Sequence, residues 1–398
     1  MIIKYFMRNL IFLLLSPISI FSYAQDSIIE NKQDTATTKP LDKIKKEWSV
    51  DFSGFIQADV IIDNKKAVYI DGYYPSYLES NKVDYNSYIT MRQTQLGLGI
   101  TNNSTGIRGF VQIDFIGPDN KTQPRLRKIF ITYKNWKIGQ DWSTVDDLNT
   151  WPNILDFNGP NAAAFGRRMM IQYSKQINER NSFQVALEDP AIPSVSLPED
   201  GLWKSKSLYP NLVGTYKYGS HSYVRAAGII SPITYQERRT AEDDFKTNTT
   251  IGYGINLTSN IYTDQLSNFK FGAFAGNGVS TRVVAFSGDG YDGIVDSKTN
   301  NSLKKLPVLS LLGAYEYWWN KKWSSVLFYS FSTVGKKEYM DGDSSKNLKS
   351  VQHGGFNTMY QPTSYFKTGM DFTYGFVDRY DGKRSEQARL QLSAVFMF

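Results

Sequence analysis

The sequence predicts an all-β protein: a transmembrane, antiparallel, up-and-down β-barrel of about 16 strands, with its third long loop folded into the lumen. Three observations carry this. Ten-residue segments with apolar and polar residues in strict alternation fill the chain from Trp48 onward. The connections between them alternate between short and long. The chain opens on an export signal, and no later segment has the 18 consecutive apolar residues of a spanning helix.

The first element is residues 1–24. Lys4 and Arg8 precede the apolar run "LIFLLLSPISIF", and Ser22 and Ala24 occupy the small-residue positions before a cut, as in a secretory signal peptide. The run is too short for an anchor and Pro17 interrupts it. Residues 25–47 are polar and poor in aromatics, which reads as a flexible periplasmic lead. Residues 48–398 form the barrel.

Within it, strands are expected near residues 48–62, 86–101, 105–116, 125–134, 136–141, 167–176, 181–188 and 208–218 in the first half. The second half adds 221–230, 249–259, 267–275, 306–318, 322–333, 352–361, 364–375 and 386–398. Short turns fall near 103, 135, 179, 220, 263, 320 and 362. Long loops are expected at 63–85, 117–124, 142–166, 189–207, 231–248, 276–305, 334–351 and 376–385. Brief turns at one end and long loops at the other are what a barrel crossing a membrane gives.

The faces agree from strand to strand. Trp48, Val50, Phe52, Ile56 and Val60 share one face, opposite Ser49, Asp51, Ser53, Gln57 and Asp59. In the last strand Leu390, Leu392, Ala394, Phe396 and Phe398 oppose Arg389, Gln391 and Ser393. Sixteen strands closed with apolar rows inward would enclose a lumen too wide for side chains to fill. Apolar rows facing lipid and polar rows facing water solve this, and closure pairs every backbone group.

Composition narrows the chemistry. There is no cysteine, so disulfides, thiolate metal sites and a cysteine nucleophile are excluded. The only histidines, His221 in a short turn and His353 beyond the seventh long loop, are expected at opposite ends of the barrel, too far apart for a metal site or a catalytic group. No cofactor and no enzymatic role is expected. The formal charge is +7, or 7 − 2 = +5 without Lys4 and Arg8, and no basic stripe marks a nucleic-acid partner. The expected partners are outer-membrane lipid and small anionic solutes. Asp289 and Asp292 in "GDGYDG" read as a solvated turn, with too few carboxylates for calcium. An adhesin or receptor using the loops at 189–207 and 276–305 is the alternative, as is a narrow gated or hydrophobic-solute channel.

The third long loop is unusual. Trp142, Leu148, Trp151, Ile154, Leu155 and Phe157 are too apolar for a loop in water, so it is expected to pack against the channel wall and narrow the pore. Strand parity places Arg108, Lys128, Arg168, Arg225 and Arg389 on polar faces, as candidates for an anion-attracting constriction. Asp146, Asp147 and Asp156 in the loop oppose them, which could set a transverse field. Arg92, Arg125, Arg127 and Arg167 lie near strand ends, where parity decides nothing.

The stretches "PRLRKIFITYKNWKIGQDWSTVDD", "LDFNGPN" and "RRMMIQYS", with a terminal phenylalanine, resemble the DcaP-like porins and, more distantly, phosphate-selective porins. The resemblance covers about residues 86–176. It implies an outer-membrane homotrimer of 16-stranded passive channels, some favouring small dicarboxylates. Ile129 and Phe130 depart from the family's Ala-Tyr, and the polar lead is shorter than the helical extension of some members, so substrate preference does not carry over.

Overall fold

A computed structural model describes residues 47–78, 82–190, 194–198, 201–239, 244–296, 302–337 and 347–398. The expected signal peptide and all of the expected lead except Glu47 lie outside the described residues. The alternating segments form one closed antiparallel sheet. It holds eighteen strand segments, and two pairs of these are single strands with an interruption, so the wall has 18 − 2 = 16 strands. In chain order these are β1 (Trp48–Asp63), β2 (Asn86–Thr90 and Gln95–Asn102), β3 (Ile107–Ile116) and β4 (Thr122–Tyr133). Next come β5 (Trp136–Trp142), β6 (Arg167–Asn178), β7 (Asn181–Glu188) and β8 (Trp203–Lys206 and Asn211–Gly219). Then β9 (Tyr223–Arg238), β10 (Phe245–Tyr262), β11 (Asn268–Asn277) and β12 (Pro307–Trp318). Last are β13 (Trp323–Val334), β14 (Leu348–Thr363), β15 (Phe366–Arg379) and β16 (Arg384–Met397).

Each strand pairs with its sequence neighbours, and β16 closes on β1 from Phe55↔Met397 to Asp63↔Arg389. No edge is left unpaired, which removes the open backbone that hydrocarbon would punish. The faces fall as the alternation demands. Gln387, Arg389, Gln391 and Ser393 are buried on the inside, while Leu392 and Phe396 are exposed on the outside. At the short-turn end Tyr133, Trp136, Trp319, Trp323, Tyr365, Phe366, Phe396 and Phe398 are all exposed, an aromatic girdle at the level of the lipid headgroups.

All sixteen expected strands are present. The loop end differs from expectation. The connections expected at 117–124, 231–248 and 376–385 shrink to residues 117–121, 239–244 and 380–383, because the strands run further. Alternation fades there because a strand that has left the membrane has water on both faces, so its sequence no longer reports two solvents.

One local irregularity lets two strands close on each other, and two more place side chains in the lumen. Gly54 has φ +147°, and a Cβ there would sit 2.1 Å from the Gln95 carbonyl oxygen, so only glycine lets β1 approach β2 this closely. The interruption of β2 turns both Arg92 and Gln93 inward, each 3% exposed. A register shift opposite Gln112/Ile113 does the same for Arg127 and Lys128 of β4.

The wide lumen is filled at its loop end by the loops. Residues 280–286 fold inward and meet the third loop, with a bridge between Ala164 and Val283. Val145, Ala164, Val279, Val283, Ala285 and Phe286 join Val213, Ile229, Phe274 and Val308 of the wall in one buried apolar cluster. The "GDGYDG" segment is therefore no solvated turn throughout. Asp292 is buried and accepts hydrogen bonds from Ser280 Oγ (3.0 Å), Thr281 N (2.9 Å) and Ser194 N (3.1 Å).

Candidate functional site

The third loop, residues 143–166, crosses the lumen and is fastened along most of its circumference. It starts at β7, where Glu188 accepts from Ser143 Oγ (2.9 Å) and Thr144 N (2.7 Å) and pairs with Arg282 (2.8 Å). On β9, Arg225 donates to the carbonyls of Thr144 and Val145. On β10, Asn256 donates to the Val145 carbonyl (3.0 Å) and Thr258 to Asp147 (2.6 Å). Lys270 of β11 donates to the Trp151 carbonyl (2.8 Å), and Glu316 of β12 accepts from Asn153 N (3.2 Å). Asn357 of β14 donates to the Asn153 carbonyl (2.8 Å). Asp371 of β15 accepts from Leu155 N (2.7 Å), and Gln391 of β16 donates to the Leu155 carbonyl (3.1 Å). A loop backbone inside a barrel must find such partners, since little bulk water reaches it.

This accounts for several candidates. Arg225 is a fastener of the loop. Arg389 is 2% exposed and holds Asp63 (2.8 Å) and Asp156 (3.3 Å). Asp147 accepts from Tyr223 Oη (2.9 Å) as well as Thr258. Asp146 accepts from Gly166 N (2.8 Å) and bridges the two ends of the loop. Burial pushes the Asp146 carboxyl up to about 8 and that of Asp156 to about 6. Arg108 lies by the short-turn end, paired with Asp51 at 2.5 Å and a third exposed. Lys128 shares Asp141 with Lys137, at 3.5 and 2.6 Å. Arg168 is half-buried on the inner face of β6, and its Nε is buried with no hydrogen-bond partner among the described residues.

The residues parity could not assign form the centre of the remaining passage. Arg125 and Arg127 both hold Asp114, at 2.7 and 2.6 Å. Phe157, at the tip of the loop, has the Arg125 and Arg127 guanidinium carbons 5.7 and 5.2 Å from its ring centre. Arg127 and Arg167 also lie 5.7 and 5.3 Å from the Trp142 ring. Arg127 Nε and Arg167 Nη1 are buried with no hydrogen-bond partner among the described residues. Two open spaces meet here. One of about 440 Å³ runs between the loop and the wall, lined by Arg127, Trp142, Phe157, Gln57, Gln93 and Lys367. The other, of about 420 Å³, opens toward the first and second loops and includes Tyr74, Arg92, Arg125 and again Phe157. A sequence signal existed for these residues: outward Leu126, Ile129, Ile131 and Tyr133 are spaced three, two and two, and the odd step marks the bulge that turns Arg127 inward.

The two histidines are apart in role as well as height. His221 stacks on Tyr262 in a short turn, and His353 is buried in β14 against Tyr73 and Asn161. No group of three metal-ligating side chains occurs among the described residues.

A search of curated proteins found no match. Among solved structures, the chain is similar to the outer membrane channel DcaP of Acinetobacter baumannii, at 21% identity and a TM-score of 0.73, covering 89% of this chain and 98% of that one. It also resembles an anion-selective porin from Comamonas acidovorans (9% identity, TM-score 0.55, 88% of this chain and 100% of that one). A third is OmpT of Vibrio cholerae (12% identity, TM-score 0.54, 92% and 100%). At these identities the likenesses show the barrel fold. The family model for the DcaP outer membrane protein matches residues 27–398, nearly the whole chain. A closed barrel with an apolar exterior, a polar lumen and an inward third loop is thus a porin of the Gram-negative outer membrane, and the chain belongs to the DcaP outer membrane protein family.

Proposed function

We propose that this porin passes small hydrophilic anions, dicarboxylate- or phosphate-like, and selects them where Arg125, Arg127, Arg167 and Arg168 of β4 and β6 face the third loop. One observation carries the reading: these four guanidiniums have a single ion-pair partner, Asp114, among the described residues. Arg167 and Arg168 make no ion pair there at all. Lys128 adds to the same sector. Such cations cost desolvation that the protein does not return to them, and a passing anion would. An Arg fork holds two oxygens of a carboxylate or phosphate at once and keeps its charge at any physiological pH. Arg225, Arg389, Asp146, Asp147 and Asp156 serve this site indirectly, by fixing the loop. The work is passive transport, with no reacting group and no cofactor, and the functional unit is a homotrimer of exported chains.

The test is the reversal potential of channels in a planar bilayer under a KCl gradient. Preference for chloride, reduced in Arg167→Ala and reduced further in Arg127→Ala/Arg167→Ala, is expected. Preference for potassium in the wild type would overturn the anion reading and leave the pore itself in place.

A further inference from the structure

The outer cavity of about 420 Å³ is built differently from the inner passage. Two tyrosines of the first loop line its rim, Tyr69 and Tyr74, with ring centres 5.3 Å apart, and Tyr77 packs edge to face against both at 5.5 and 5.8 Å. Asn120 of the second loop fixes this rim, donating to the Val68 carbonyl (2.9 Å) and accepting from Ile70 N (3.2 Å). Tyr69 is 45% exposed, so a large aromatic face stands open to whatever enters. Beneath it lies a buried ion pair, Arg92 with Asp71 at 3.1 Å, each side chain 4% exposed. Asp71 Oδ1 and Arg92 Nε have no hydrogen-bond partner among the described residues, while Arg92 Nη1 makes the ion pair and Nη2 donates to the Gly117 carbonyl (2.9 Å). Gln123 also lines the space, and Arg125 closes its floor beside Phe157.

We infer that this cavity is a recognition subsite for anionic sugars, such as a sugar acid or sugar phosphate, taken up before the solute reaches the arginines below. The inference rests on the anion-channel reading above and names the solute class of that channel. A pyranose ring presents an apolar C–H face and an edge of hydroxyls. The open tyrosine faces cover the first. The second supplies both donors and acceptors, which is what the unpartnered Asp71 Oδ1 and Arg92 Nε–H require. Arg125, whose Nε and Nη2 already hold Asp114 (3.0 and 2.7 Å), offers its Nη1 and its charge to the anionic group. An aromatic carboxylate would also stack on tyrosine, but it brings no donor for Asp71. A neutral sugar satisfies the hydroxyl partners and leaves Arg125 unused. The combination of rings, a carboxylate acceptor and a guanidinium therefore favours a solute that is hydroxylated and charged.

Glucuronate, benzoate and glucose at equal concentration distinguish these cases in single-channel recordings. Glucuronate added on the loop side is expected to interrupt the current, with blocked times about tenfold longer than those of benzoate or glucose. Tyr69→Ala and Gln123→Ala, both at exposed positions, should shorten the glucuronate events toward the benzoate level and leave the KCl reversal potential unchanged. Benzoate events that outlast those of glucuronate, or glucuronate events unchanged in Tyr69→Ala, would overturn the inference. Chloride preference without glucuronate interruptions sinks the subsite alone. Potassium preference with glucuronate interruptions intact sinks the anion-channel reading alone.

Discussion

The inner wall has two kinds of arginine, and they sit on opposite arcs of one barrel. On β9 and β16, Arg225 and Arg389 are saturated: one by loop carbonyls, the other by two carboxylates. On β4 and β6, Arg125 and Arg127 share Asp114, and Arg167 and Arg168 pair with nothing among the described residues. The third loop makes a related distinction. It hydrogen-bonds to β1, β6, β7, β9, β10, β11, β12, β14, β15 and β16, while among the described residues β4 gives it no hydrogen bond and meets it through the Arg125 and Arg127 guanidiniums over the Phe157 ring. Identical side chains thus hold the structure on one arc and present a field on the other. What separates them is the partner, not the residue type.

That contrast is broken most forcefully at Arg389. Arg389→Ala leaves Asp63 and Asp156 buried without their cation, a loss of about 3–5 kcal/mol. A large drop in the thermal midpoint in detergent is expected, together with easier protease nicking of the third loop. A midpoint within a degree of wild type would remove the idea that this arc is structural. Arg225→Ala removes a charged donor from two loop carbonyls and is expected to cost less, about 1.5–3 kcal/mol, by the same measurement.

The opposite pattern is expected on the other arc. Arg167→Ala removes a charge with no partner to strand, so the midpoint should stay within about 0.5 kcal/mol of wild type or rise. Its effect belongs in the reversal potential. Arg108→Ala should move that potential less, because Asp51 already neutralises Arg108 near the short-turn end. Equal shifts from the two variants would mean that the field is spread along the lumen and not concentrated at β4 and β6.

How much of this could be read from the chain follows from the same physics. Every strand was legible, since lipid on one side and water on the other write a period of two into each. The inward third loop was legible too, from Trp142, Trp151, Leu155 and Phe157. Which arginine fastens and which attracts was not. Parity gives the face a side chain points to and says nothing of what waits there, so Arg108, Arg225 and Arg389 read alike. Arg125 and Arg127 lie near a strand end, where parity decides nothing, and the structure adds a bulge that breaks it; bulges gather where strands serve a site. The Glu188–Arg282 pair joins residues 94 positions apart and left no local mark.

The smallest effect, and the sharpest on the fastening arc, concerns Asp146. Its carboxyl is held at about 8, first by burial, then by the nearby Glu188 carboxylate, against the pull of Gly166 N–H, Arg282 and Arg225. Arg168 faces it as well. Between the ordinary carboxylate range and about 8 the folded chain keeps a proton that the unfolded chain has released. Stability therefore falls as pH rises through that window and levels off above it. Asp156 and Asp292 sit at about 6 and have largely finished titrating by pH 7, while Lys337, brought down to about 8 by burial, titrates beside Asp146, so the comparison of a variant with wild type, and not the pH interval alone, isolates Asp146. Asparagine matches the neutral carboxyl in shape and still accepts from Gly166 N. Asp146→Asn never undergoes that loss and is accordingly expected to melt above wild type already at pH 7, and by a wider margin at pH 9. A gap of the same size at both pH values would mean that Asp146 is ionised throughout, and that the ends of the third loop are joined by a charge held between Arg225, Arg282 and Arg168 and not by a neutral hydrogen bond.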